Sequence, residues 1–234
     1  MTFPHSPDVF GFYEKMIQAM DNPHQWYGSR TYAQHGDDLA ILNIFGCLRI
    51  LKPSYLDIGA HHPFELSNTA ILYQRGSRGI NVEANPALID AFHRMRPEDK
   101  NVCVAVGPHH GLAKLNRVNE TSGINSLLPI EGHGAMLDAV DVSVLTIDEI
   151  VDIYADGCWP DMLTIDAEGM DLSILQSIDY SRGQPKVICA EATSAAGDIA
   201  ADLRTLMSEN GYFVHSWVGS NMLFVRSELR DWLY

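Results

Sequence analysis

The chain has 234 residues, 46% hydrophobic and 20% charged, the composition of one well-buried globular domain with too little length for two. With 16 basic against 30 acidic residues, net −14, it offers no electrostatic reason to expect a nucleic-acid backbone or a membrane surface as partner. Four separated cysteines, an N-terminus (MTFPHSPDVF) with no basic stretch ahead of an apolar one, and no apolar run of bilayer length point to buried free thiols and a cytoplasmic protein.

Two helices are expected first, DVFGFYEKMIQAM (8–20) and DDLAILNIFGCLRI (37–50), in an N-terminal cover segment over residues 1–50. Residues 51–234 read as a single domain in which Val-, Ile- and Leu-rich runs alternate with longer amphipathic segments, the pattern of a parallel sheet covered on both faces. Strands are predicted at SYLDIG (54–59), GINVEA (79–84), NVCVAVG (101–107), DMLTIDA (161–167) and KVICAEA (186–192). Helices are predicted near 65–75, 86–94, 146–155 and 169–178, with GDIAADLRTLMSEN (197–210) after the fifth strand. GYFVHSWVGSNMLFVR (211–226) is two apolar runs around Gly219-Ser220-Asn221, a hairpin that finishes the sheet with an antiparallel strand. Residues 107–141, rich in Gly and His and poor in periodicity, read as a substrate loop: either a mobile flap or a surface excursion with one short strand over LAKLNRV (112–118).

In open α/β sheets ligands lie beyond the carboxyl ends of the strands, and here strands end on Asp57, Glu83, Asp166 and Glu191. One acidic strand end is most often a helix cap or a solvated side chain; four on one edge favour a site. The turn in YLDIGAHHPFELSN (55–68) offers a single glycine, Gly59, then Ala60, His61, His62, Pro63 and Glu65. A dinucleotide pyrophosphate needs more glycine and a helix N-terminus free of negative charge, so this turn counts against a nicotinamide cofactor. S-adenosylmethionine has no phosphate, and its ammonium, sulfonium and ribose hydroxyls all suit carboxylates. Asp57 would take the ammonium or order the loop, and Glu83 the ribose. His61 reads equally as a site residue and as a solvent-facing turn residue.

The segments YAQHGDDLAILNIF (32–45), YLDIGAHHPFELSNTAILYQRGSRGINVEANP (55–86), LTIDEI (145–150), LTIDAEGMDLSIL (163–175) and PKVICAEA (185–192) together resemble the FkbM-type methyltransferases. The combination of SNT, GINVEANP and IDAEG makes the resemblance specific. It implies an α/β, Rossmann-like class I methyltransferase fold: a mostly parallel seven-stranded sheet with an antiparallel C-terminal hairpin strand. It also implies S-adenosylmethionine as cofactor and O-methylation of a hydroxyl on a sugar or small natural-product intermediate. The cofactor-binding residues so implied are Gln34, Asp57, Gly59, Ala60, His61, Ser67, Asn68, Glu83, Ala84 and Asp166. Pro63 departs from the small residue usual in that turn.

A hydroxyl acceptor must lose a proton, and the carboxylates of TIDAEGMD, Asp166 and Glu168, are the first candidates to take it. The competing reading has Glu168 and Asp171 complementing the dipole of a helix that begins near Gly169. His62 is the rival base and His133, in the substrate loop, stands next. Asp166 and Glu191 should end neighbouring strands about 4.8 Å apart, where they could share Mg²⁺. A two-carboxylate pattern is not by itself a metal signature, which favours the competing reading: Asp166 hydrogen-bonded within the site and Glu191 paired with a base or capping a helix. The expected partner is a small-molecule or glycosyl acceptor, with homo-oligomerisation left open. The alternative functions are a nicotinamide-dependent Rossmann oxidoreductase and a non-catalytic S-adenosylmethionine-binding protein.

Overall fold

The computed structural model describes residues 31–119, 122, 125–129, 137–194 and 197–233. The helix predicted at 8–20 and His133 lie outside the described residues. Helix α1 (Asp37–Cys47) precedes an alternation of β1 (Tyr55–Ile58), α2 (Ala70–Gln74), β2 (Gly79–Val82), α3 (Pro86–Met95) and β3 (Lys100–Val102). Then follow β4 (Ala105–Val106), β5 (Gly111–Arg117), β6 (Asp138–Leu145), α4 (Ile147–Tyr154), β7 (Met162–Ile165), α5 (Asp171–Gln176) and β8 (Val187–Glu191). A short pair, β9 (Thr193–Ser194) and β10 (Gly197–Asp198), leads to α6 (Ala200–Glu209) and the hairpin of β11 (Tyr212–Val218) and β12 (Asn221–Arg226).

Seven strands form one sheet in the order β11-β12-β8-β7-β1-β2-β3. The central strands run parallel, and β12 lies antiparallel between β8 and β11. This is the α/β Rossmann-like fold with its antiparallel C-terminal strand. From β1 the chain proceeds outward through β2 and β3, then returns to β7 on the other flank of β1, so the order reverses between β1 and β7. A crevice opens beyond the strand ends at such a point.

All four residues of β1 and of β7 are buried, as a central strand covered on both faces requires. Leu56, Ile58, Leu163 and Ile165 pack on one face against Ile150 of α4, Ile174 of α5 and Leu203 of α6. Tyr55, Met162, Val187 and Leu223 pack on the other against Ile41, Ile44 and Phe45 of α1. Those three α1 side chains are at most 1% exposed, and each contributes about 1.5–3 kcal/mol by leaving water. Helix α1 is thereby pinned to the sheet. Local signals start the other helices: Thr146 and Glu149 form a capping box ahead of α4, and the Asn85 side chain accepts the Ala87 N–H ahead of α3. Among the described residues no helix is long and apolar enough to cross a membrane.

Several predicted elements change in detail. NVCVAVG is two strands: β3 edges the main sheet, and β4 joins β5 and β6 in a separate sheet of order β4-β6-β5. The break follows from a second core, in which Ala105, Leu115, Val142 and Val144 bury one another. The strand expected over LAKLNRV is β5, but it pairs in this second sheet rather than the main one, and the start of β6 within 107–141 was not expected. The helix predicted at 65–75 begins only at Ala70, because the Ser67 hydroxyl accepts the Thr69 and Ala70 N–H groups and holds the preceding residues in a turn. The thiols are free, but of the four only Cys189 is buried; Cys47 is half-buried, and Cys103 and Cys158 lie exposed at connections between elements.

Candidate active site

The crevice floor is the turn after β1. Gly59 has φ +73°, and a Cβ there would fall 1.8 Å from the Asp166 carbonyl oxygen. Only glycine fits where the ends of β1 and β7 approach so closely. The N–H groups of Gly59 and Ala60 both donate to the Val82 carbonyl, at 3.0 and 3.1 Å, tying the turn to the end of β2. His61 has φ 52°, and its N–H donates to Glu83 Oε2 at 2.9 Å, while the Asn85 N–H donates to Oε1 at 2.7 Å. Glu83 is thus held at both oxygens by backbone. Burial pushes its carboxyl up to about 7; the Asn85 and His61 amides oppose the rise and the Asp57 carboxyl adds to it.

Asp57, buried at the end of β1, accepts the Thr69 hydroxyl at 2.6 Å. Thr69 Oγ1 accepts two guanidinium bonds from Arg96, at 3.0 and 3.1 Å. Arg96 is wholly buried; it also donates to Asp99 at 2.9 Å and to the Tyr55 hydroxyl at 2.7 Å, and its guanidinium lies over the rings of Tyr55, Tyr73 and Phe92. A buried cation fixes the Asp57 loop through one hydroxyl. Burial is the main cause that lifts Asp57 to about 6, with Thr69 and Arg96 opposing it.

At the end of β7, Glu168 has φ 48° and Gly169 φ 93°. The buried Asp171 carboxylate accepts the Ala167 and Gly169 N–H groups, at 3.1 and 3.3 Å, and closes this turn. The Glu168 carbonyl accepts the Ser126 hydroxyl at 3.1 Å, linking the turn to the segment between β5 and β6. Asp166 is exposed to the open crevice on one side while protein surrounds the carboxyl on the others. That confinement first, then the fields of Glu191, Asp171 and Glu168, raise it well above the usual carboxylate range.

Two chambers meet at Gly59, His61, Asp166 and Glu168. The inner one has an apolar wall of Val82, Leu88, Val104, Leu115, Leu127 and Met170, with Glu83 and Ala84 at its edge. The outer one is bounded by Gln34, Asp57, Ala60, Ser67, Asn68 and Glu191, together with Asp37, Thr164 and Asn221. The structure therefore brings the sequence-derived residues to one crevice, His62 excepted. His62 borders neither chamber, and its Nδ1 accepts the Phe64 and Glu65 N–H groups, at 3.2 and 2.9 Å, as a turn cap. Burial lowers its pKa.

Asp166 and Glu191 do end neighbouring strands, since Ile165 pairs with Ala190 in the β7–β8 register. Among the described residues, however, no group of three or more His, Cys, Asp or Glu side chains is gathered to hold a metal ion. The Mg²⁺ expectation rests on two carboxylates alone. Three residues with a place at the crevice escaped the sequence reading. Asp37 and Asn221 stand on the outer wall, and Arg96 lies beneath Asp57.

A family model described as the Methyltransferase FkbM domain matches residues 57–214. No curated protein matches the chain. Among solved structures, an FkbM methyltransferase from Methylobacillus flagellatus KT is 12% identical, with a TM-score of 0.46, covering 93% of this chain and 59% of its own. A precorrin-6y C5,15-methyltransferase from Geobacter metallireducens GS-15 is 13% identical, with a TM-score of 0.39, covering 80% of this chain and 86% of its own. This chain thus spans less than two thirds of the Methylobacillus protein.

Proposed function

This chain belongs to the FkbM methyltransferase family, and we propose that it transfers the methyl group of S-adenosylmethionine to a hydroxyl of a small-molecule or glycosyl acceptor. The observation that carries this reading is Glu83: a buried carboxylate at the end of β2, pinned by two backbone amides at the edge of a chamber with one apolar wall. Two vicinal ribose hydroxyls can donate to such a carboxylate, and the adenine fits the apolar wall of Leu88, Val104, Leu115 and Met170. Gly59 lets a ligand approach the backbone, and Asp166, common to both chambers, lies where the inner ligand would pass into the outer one.

When bound, S-adenosylmethionine supplies a methyl group on a sulfonium already activated for displacement. The residues supply alignment and proton acceptance. Asp57, held by Thr69, keeps the turn in place. A carboxylate whose pKa is raised toward neutrality is a better base than an ordinary one, and Asp166 meets that description with Glu168 beside it. The Asp166 carboxylate would take the acceptor's hydroxyl proton, and the bound cofactor would supply the methyl group and leave as the thioether. Calorimetry with S-adenosylhomocysteine, followed by labelled methyl transfer to candidate acceptors, tests the reading. Binding in the micromolar range is expected; absence of binding together with binding of NAD would replace it by the oxidoreductase alternative.

A further inference from the structure

We propose that the outer chamber takes an acceptor bearing a protonated amine beside its hydroxyl groups, and that Asp37 and Glu191 hold the ammonium. This rests on the methyl-transfer reading, which places the adenosine of the cofactor in the inner chamber and its reacting end at Asp166, where the outer chamber begins. Asp37 opens α1 and is 0% exposed, yet neither of its carboxylate oxygens has a hydrogen-bond partner. The Asn221 side chain, the Asp37 and His35 amides and the His35 ring are near enough to favour the charged carboxyl, but none is aligned to form a hydrogen bond with it. Buried carboxylates are normally paired, so this one, on the wall of an open chamber, lacks a partner that a ligand can provide.

The charge of the chamber gives the class of that partner. Asp37, Asp57, Asp166, Glu168 and Glu191 line it, and no Lys or Arg stands among its described wall residues. A phosphate or carboxylate on the acceptor would be repelled. Asp57 belongs to the strand end that carries the cofactor turn, and Asp166 and Glu168 border both chambers, whereas Asp37 and Glu191 stand on other elements and border the outer one alone. Their position agrees: Glu191 faces Asn221 across the β8–β12 register, and the Asp37 charge is felt at Cys189 of β8, on the side of the sheet away from β2. Asn221, a neutral group on the same wall, can serve the acceptor's hydroxyls. Carboxylates also accept hydroxyls, as Glu83 would from the ribose, but five of them on one wall with no Lys or Arg favour an acceptor that brings positive charge.

The test compares D-glucosamine with D-glucose as probes of the S-adenosylhomocysteine-loaded protein, by saturation-transfer NMR. The expected result is a glucosamine signal at least severalfold above that of glucose. Asp37→Asn and Glu191→Gln should each abolish the excess, while S-adenosylhomocysteine affinity stays within about threefold of wild type. Removing an unpaired buried charge should leave Asp37→Asn folded, which its melting temperature checks, and Glu191→Gln repeats the test at an independent site. Equal signals for the two probes overturn the inference. So does a tenfold or greater loss of S-adenosylhomocysteine affinity in Asp37→Asn, which would assign that carboxylate to the cofactor's own ammonium. If wild type fails to bind S-adenosylhomocysteine at all, the underlying methyl-transfer reading falls and takes this inference with it.

Discussion

The Thr69 hydroxyl donates to Asp57 at 2.6 Å while accepting two guanidinium bonds from Arg96, so one oxygen couples a carboxylate at the crevice to a cation with no exposure to water. Direct contact would have drawn the two charges together and pulled Asp57 from the strand end; an interposed hydroxyl keeps them in position. Thr69→Val preserves shape but leaves both buried charges short of a bond. It should destabilise the protein by about 2–4 kcal/mol, read as a lower denaturation midpoint with unchanged slope. A loss below about 0.5 kcal/mol would mean that Asp57 and Arg96 find other partners.

Gly59→Ala tests the approach of β1 to β7. At φ +73° any side chain is strained, and the new Cβ would lie 1.8 Å from a main-chain oxygen, which has no rotamer to escape through. Strain alone costs on the order of 1–3 kcal/mol, and the clash must displace the Asp166 backbone. Thermal denaturation should show a fall of several degrees, and calorimetry a loss of S-adenosylhomocysteine binding. A variant with wild-type melting and binding would remove this contact from the site.

How far the sequence revealed this crevice depends on whether a residue's role is local or tertiary. The ends of β1, β2, β7 and β8 could be read because short buried apolar runs stop at a carboxylate, and the Gly219-Ser220 turn because it separates two such runs. Strand β6 could also have been read: Val140, Val142 and Val144 alternate with Asp141 and Ser143. Asp37 could not. After Gly36, two acids ahead of an apolar helix look like ordinary first-turn residues, and only docking of α1 sends Asp37 to the chamber while Asp38 accepts the Tyr32 N–H at 2.7 Å. Arg96 lies in HRMRPEDK, which has the look of a solvated stretch until Tyr55 and Asp99 close over it.

Glu83 sets a pH dependence with two opposite signs. Its carboxyl is raised by burial from an ordinary 4.5 to about 7, so in the unliganded protein its stabilising contribution is complete below 4.5 and is lost as pH rises through about 7. Asp57, raised to about 6, adds to the same trend. Ribose hydroxyls donate best to the ionised form, so S-adenosylhomocysteine affinity should instead fall as pH drops below about 7, approaching tenfold per pH unit. Glu83→Ala should weaken binding at pH 8 by about 1.5–3 kcal/mol, and Glu83→Gln should flatten both profiles. Calorimetry and melting curves between pH 5 and 8 check this, and an affinity that is level across that range in wild type would take Glu83 off the ribose.

The chemical step should fall on the turn after β7. Asp166 borders both chambers, and Glu168 shares that position through a left-handed backbone conformation held by Ser126 and Gly169. Asp171, by contrast, is committed to the Ala167 and Gly169 amides and closes the turn. A base must be able to accept a proton near neutral pH, and the raised carboxyl of Asp166 brings it toward that range. Asp166→Asn should therefore lower turnover by about 100-fold or more, and Glu168→Gln by a comparable factor, with much smaller changes in S-adenosylhomocysteine affinity. The same substitution should remove the acidic limb of the pH–rate profile if Asp166 is the group whose ionisation it reports. His62→Ala should act mainly on stability, because the ring caps the Phe64–Glu65 turn through Nδ1 and borders neither chamber. Single-turnover measurements on an identified acceptor separate these outcomes: near-wild-type turnover in both amide variants would move the base away from this turn.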